Sequence, residues 1–243
     1  MGKLEKIAKY VPILPALYRA LRKRYLQSLD TEEVFTKIYK GNRWGGERSV
    51  SGTGSDEDQT RMIPKELSTM IDEFGISTML DIPCGDFYWM KNVDLSKIDY
   101  TGADIVKELV DKNSEEYGGG SIRFQHMDLV KDKLPNVDLI FCRDCLVHFS
   151  FTDIFLALEN VCNSQSEYLL TTTFTDRREN DDIATGQWRT LNLEVSPFGL
   201  PSPLGIILEK CTEGDGVYKD KALGLWRISD IRKSLEERPR LSA

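Results

Sequence analysis

Between residues 78 and 174, five short apolar runs alternate with helix-length stretches. This alternation constrains the fold more than any other feature of the sequence. The runs are Thr78 to Ile82, Tyr100 to Ile105, Ile122 to Met127, Val137 to Cys142 and Tyr168 to Phe174. Apolar strands that alternate with helices need cover on both faces, which is the signature of a buried parallel sheet. The intervening stretches read as helices. Leu67, Met70, Ile71 and Phe74 form one stripe of a helix that opens at Ile63-Pro64 and stops at Gly75. Val106, Leu109 and Val110 begin a second, and Ser150-x-x-Asp153 opens a third as a capping box. Strands alternating with helices predict an α/β fold with a doubly wound, mostly parallel sheet. Two further runs, Gly205 to Cys211 and Lys221 to Ile228, are separated by Glu213-Gly-Asp-Gly216. That is hairpin spacing, so an antiparallel final pair completes seven strands.

The chain has 243 residues, 40% of them hydrophobic and 29% charged, enough for a large core and too apolar for a disordered chain. Its longest apolar stretch, Val11 to Leu21, is interrupted by Pro12, Pro15 and Arg19 and falls short of a membrane span. Five cysteines without framework spacing point to a reducing, cytoplasmic compartment. Cys142-Arg-Asp-Cys145 has a C-x-x-C form, but His126 and His148 stand at no metal-finger spacing, so no metal site is expected.

Charge is unevenly placed. The first 25 residues carry Lys3, Lys6, Lys9, Arg19, Arg22, Lys23 and Arg24 against Glu5 alone, in a chain of net charge −7. The acidic remainder argues against a nucleic-acid partner, which needs a basic groove. The basic head, interleaved with Leu14, Leu17, Tyr18 and Leu21, reads as a helix packing on its own domain. Peripheral contact with an anionic membrane or a partner is the alternative. Residues 1–57 are therefore assigned to this helix and a lid bearing Trp44, and 58–243 to the α/β domain.

Ligands of open α/β sheets bind at the carboxyl ends of the strands. Here those ends carry Asp81 with Gly85, then Asp104, then Asp128, then Arg143-Asp144. Asp104 follows Gly85 by the offset at which an acidic residue reaches a ribose diol. A carboxylate suits that task because it accepts two hydroxyl hydrogen bonds at once. Asp128 is placed to accept from an exocyclic amine of a base, and Gly85 permits close backbone approach.

The segments LDIPCGDF (Leu80 to Phe87), GADI (Gly102 to Ile105), MDL (Met127 to Leu129) and DLIFCRDCLVH (Asp138 to His148) resemble those of class I S-adenosylmethionine-dependent methyltransferases. More narrowly, they are similar to a bacterial group bearing DIPCGDFxWM and RDCLVH, some of it found near polysaccharide gene clusters. The resemblance implies a Rossmann-like fold and S-adenosylmethionine as cofactor. It places Asp81 near the methionine part, Asp104 on ribose and Asp128 on adenine. Pro83, Cys84, Asp86, Ile105, Leu129 and Trp44 complete the implied cofactor wall. The first loop departs from the family pattern, because Pro83 and Phe87 stand where the first and third glycines belong. A short or displaced first helix is the expected consequence.

A sugar or alcohol hydroxyl accepts a methyl group only if its proton is removed, so a base is needed. His148, Asp144 and Arg143 follow the fourth strand and are the catalytic candidates, with His148 the better base. The segment from Thr175 to Pro203 is long for a loop, and its Arg177, Asn180, Trp188 and Arg189 suit a polar acceptor. The expected substrate is a carbohydrate-linked or phosphorylated small molecule. The rivals are a nicotinamide-dependent (NAD) oxidoreductase, transfer of another group such as aminopropyl, and a non-catalytic cofactor-binding module.

Overall fold

The computed structural model describes residues 14–238. The basic positions Lys3, Lys6 and Lys9 lie outside the described residues. Two helices come first, α1 (Leu14–Gln27) and α2 (Thr31–Lys40). Asp30 caps α2 by accepting from the Glu33 amide at 2.8 Å. After a polar strap and helix α3 (Ile63–Phe74), strands β1 (Thr78–Asp81) and β2 (Asp99–Asp104) follow. Then come α4 (Lys107–Tyr117), β3 (Ile122–His126), β4 (Leu139–Cys142), α5 (Phe151–Asn163) and β5 (Tyr168–Phe174). Strands β6 (Gly205–Leu208) and β7 (Lys221–Arg227) and helix α6 (Ile228–Glu236) end the described chain. No helix among the described residues is long and apolar enough to cross a membrane.

The seven strands form one sheet in the order β3-β2-β1-β4-β5-β7-β6. Strands β1 to β5 are parallel, and β7 runs antiparallel to both β5 and β6. The sheet is the expected one, hairpin included. The chain reverses its direction of travel between β1 and β4, which opens the crevice where such sheets take ligands.

Alternate side chains of the inner strands β1, β2, β4, β5 and β7 enter two separate cores, whereas the edge strands β3 and β6 are covered on one face. Leu80, Ile140, Leu169 and Trp226 face one layer, closed by α2, α4, α5 and α6. Met79, Leu139, Phe141, Leu170 and Leu225 face the other, closed by α3 and by Phe87, Trp89 and Met90. This two-sided cover is why the strands lack polar alternation. Helix termini follow their local chemistry: Gly75 ends α3 at φ +64°, and Ser150 accepts from the Asp153 amide at the head of α5.

The connection from β1 to β2 contains only a single 3₁₀ turn, Met90–Asn92. The expected displacement of the first helix is therefore complete. Phe87 sits at φ +56°, outside the helical region, and its ring packs on Tyr100, Tyr117 and Phe124 as part of the second core. A bulky residue anchored there cannot serve as the small packing point of a crossover helix.

Candidate active site

A cavity of about 380 Å³ opens at the carboxyl edge of the sheet. The ends of β1, β2 and β3 bring Asp81, Asp104 and Asp128 to its wall, together with Pro83, Cys84, Gly85, Asp86, Ile105 and Leu129. Asp104 accepts from the Gly85 amide at 3.1 Å and the Val106 amide at 2.8 Å, one on each oxygen. Each oxygen keeps a lone pair for a ligand. Asn113, buried on α4, donates to the Gly85 carbonyl at 2.8 Å, so the loop after β1 is held from both sides. Burial pushes the Asp104 carboxyl up to about 6. Asp81 is more deeply buried, accepts from the Tyr100 hydroxyl, and is pushed up to about 8 by loss of solvent. Asp128 combines two tasks: Oδ1 accepts from the Val130 amide at 2.8 Å, capping the turn, while the residue also faces the cavity.

A strap from Trp44 to Ser55 crosses the cavity. Asp86 fastens it, accepting from the Val50 amide at 2.9 Å and from the hydroxyls of Ser49 at 3.0 Å and Ser51 at 3.2 Å. A contact of Asp86 with the cofactor was the sequence expectation. Its oxygens are instead engaged by the strap. The Ser51 hydroxyl sits directly against Gly85, where any β-carbon would collide with it. Gly85 is also at φ +55°, so the position demands glycine twice over. At its far end the strap is tied to the last hairpin through Thr53, which donates to Glu213 at 2.6 Å.

His148 lies in a 3₁₀ turn (Leu146–His148) after β4. Its Nδ1 is 2.9 Å from the Gln187 carbonyl, which can only accept, so Nδ1 carries the proton and a neutral ring leaves Nε2 as a base. Burial lowers its pKa below the ordinary histidine value. Trp44 packs on the ring.

Arg143 and Asp144 belong to a tetrad, buried except for Asp144, that the sequence did not announce. Arg143 donates to both oxygens of Glu209 at 3.0 and 2.8 Å and to the Gly54 carbonyl at 2.8 Å. Lys221 pairs with Asp144 at 2.7 Å and Glu209 at 3.2 Å. Two cations thus face two carboxylates. Burial opposes ionisation of Asp144, but Arg143 and Lys221 outweigh it and hold the carboxyl at about 2. A carboxylate held that low is a weak base near neutrality, and the Arg143 guanidinium is engaged by Glu209, Asp144 and the Gly54 carbonyl.

The expected acceptor contacts divide. Trp188 faces the cavity beside Tyr218, ring centroids 5.1 Å apart. Arg177, Asn180 and Arg189 do not. Arg177 donates to Asp220 at 2.7 Å. Asn180 bridges Asn192 and Ser196 within its own loop. Arg189 is buried and gives its guanidinium to the carbonyls of Asp181, Leu146 and Phe149 at 2.9 to 3.1 Å. It braces the turn that carries His148 rather than offering a fork to a phosphate. The sequence reading also missed Phe35 and Tyr39 of α2, which line the cavity beside Trp44. The Asp30-x-x-Glu33 capping pattern marks the start of α2 and was the available signal.

Neither a protein-family model nor a curated protein sequence matches the chain. Solved structures do. Human N-acetylserotonin methyltransferase in complex with SAM superposes with a TM-score of 0.57 at 18% identity, over 82% of this chain and 60% of that one. The present chain thus spans about three fifths of the human enzyme. The Burkholderia thailandensis 1,6-didemethyltoxoflavin-N1-methyltransferase, with bound 1,6-didemethyltoxoflavin and S-adenosylhomocysteine, gives 0.58 at 14% identity over 81% and 86%. The N-methyltransferase NodS from Bradyrhizobium japonicum WM9 gives 0.50 at 14% identity over 71% and 93%. Sheet order, closing hairpin and these neighbours together establish a Rossmann-like methyltransferase fold.

Proposed function

We propose that the chain is an S-adenosylmethionine-dependent methyltransferase acting on a hydroxyl oxygen of an uncharged, carbohydrate-like acceptor. One observation carries the reading: Asp81, Asp104 and Asp128, from three neighbouring strand ends, share one cavity with His148. The residues present fit the cofactor. Asp104 has free lone pairs for a ribose diol, and Ile105 and Leu129 offer apolar walls for an adenine ring. When bound, the cofactor supplies an electrophilic methyl on a sulfonium.

The chain's own residues orient the acceptor, exclude water and take up a proton. His148 Nε2 is the base, with Gln187 fixing the tautomer. Trp188 and Tyr218 give the acceptor apolar faces edged by polar tips. The two cations of this wall, Arg143 and Lys221, are both neutralised by carboxylates, which favours an uncharged acceptor over a phosphorylated one.

A nicotinamide dinucleotide is the poorer match. Its pyrophosphate is held by the N-terminus of the helix after the first strand, and no helix follows β1 here. Thermal-shift titration with S-adenosylhomocysteine and with NAD tests the cofactor. Stabilisation by NAD alone overturns the reading. Incubation with S-adenosylmethionine and a panel of neutral glycans, phosphorylated sugars and amines, read by a mass gain of one methyl, tests the acceptor. Cofactor binding with no turnover on any of them favours a non-catalytic module.

A further inference from the structure

We infer that α1 seats the protein on an anionic lipid bilayer. Among its described side chains, the helix touches the rest of the molecule through Leu26, which is buried, and through one face of Tyr25, whose ring centroid lies 5.7 Å from Lys37 Nζ. Leu21 and Tyr25, four residues apart and so on one stripe, are 56% and 48% exposed. Arg22 and Arg24 are exposed on either side of that stripe, and Lys23, also exposed, projects from the opposite side of the helix. The rest of the chain is acidic, yet none of the ion pairs among the described residues engages these three cations. Among the described residues, these cations are therefore not used to hold α1 on its own domain.

Charge complementarity selects the occupant. A surface that takes an aliphatic and an aromatic side chain together with two flanking cations is the interface of a bilayer containing acidic lipids. There the tyrosine ring sits at headgroup level, the leucine enters the acyl boundary and the cations meet phosphates. The sequence extends the same composition upstream, with Lys3, Lys6, Lys9 and Arg19. Four residues beyond the end of α1, Thr31 lines the cavity, so a bilayer engaged by α1 lies near the cavity rim. The inference stands apart from the proposed chemistry, because lipid binding is read without turnover.

The test is co-sedimentation of the full chain with vesicles of phosphatidylcholine alone and with one-quarter phosphatidylglycerol, at low and high salt. Binding is expected to the anionic vesicles only, weakening as salt rises. Arg22→Gln/Lys23→Gln/Arg24→Gln is expected to reduce partitioning by about tenfold or more, and Leu21→Asp/Tyr25→Asp to abolish it. These side chains are exposed, so both variants should keep the wild-type melting temperature. Absence of pelleting, equal pelleting with neutral vesicles, or pelleting unchanged in both variants overturns the inference. So does a dimer in light scattering that Leu21→Asp/Tyr25→Asp dissociates, with no vesicle binding, which would assign the stripe to a second copy.

Discussion

The indole of Trp44 lies against the imidazole of His148, ring centroids 5.0 Å apart and planes inclined by 34°. The strap thereby supplies one wall for the base, while the Gln187 carbonyl fixes its tautomer from the other side. Phe35 joins the same stack through Trp44 and Phe149, which ties α2 to the reacting end of the cavity.

Replacement of His148 by alanine should lower turnover by about 10² to 10⁴-fold while leaving S-adenosylhomocysteine affinity unchanged. The pH profile gives a sharper check. Burial holds the His148 pKa below its ordinary value, so the base is already neutral at pH 7 and activity should be flat from there upward. The acidic limb should fall below the usual histidine range. A His148→Ala enzyme with normal kcat would exclude the ring from proton transfer.

Asp104→Ala should weaken cofactor binding by about 1 to 3 kcal/mol, since it removes charge-assisted acceptors and loosens the Gly85 loop at once. Because burial raises this carboxyl to about 6, wild-type affinity should decline as pH falls through 6 and the acceptor becomes protonated. Calorimetry across pH 5 to 8 reads both effects. An affinity independent of pH and of the substitution would remove Asp104 from the ribose site.

The strand ends were legible because topology alone delivers them. Once five apolar runs are recognised as parallel strands, Asp81, Asp104 and Asp128 must meet at one edge, whatever the side chains between them do. The loss of the first helix was legible for the same local reason, in Pro83 and Phe87. The tetrad was not. Glu209 and Lys221 lie 66 and 77 residues from their partners, and a charge at a hairpin edge reads as solvent-facing. Arg189 shows a different limit. A guanidinium beside Trp188 has the same sequence signature whether it forks onto a ligand or onto the carbonyls of Leu146 and Phe149, and only the packing of the 175–203 loop decides.

Asp81 carries a pH signature in stability. Its folded carboxyl is raised to about 8 from an ordinary 3.8 by burial, so the native state holds a proton that the unfolded chain has released. The contribution is complete below the unfolded value and is lost as pH rises through 8. Between pH 6 and 9 this group should remove about 2 to 3 kcal/mol of stability. Asp81→Asn, neutral throughout, should lack that decline. Parallel denaturant curves for the two proteins at pH 6 and 9 would refute the assignment if their difference did not change with pH.

Glu209 offers the most demanding stability test. It is completely buried and holds both Arg143 and Lys221, while Asp144 keeps only part of its side chain in the cavity. Glu209→Gln preserves shape but leaves two cations facing one carboxylate inside the protein. Breaking a buried pair from one side costs about 3 to 5 kcal/mol, because the orphaned charge has lost both solvent and partner. For a chain of this size that is a fall in melting temperature of roughly 10 °C. The double variant Glu209→Gln/Lys221→Met removes the surplus cation and leaves Arg143 with Asp144, so it should regain much of the loss. A double variant less stable than Glu209→Gln would mean that Lys221 contributes through packing or hydrogen bonding rather than charge balance. Recovery would show that neutrality of the tetrad is what holds the last hairpin against the end of β4.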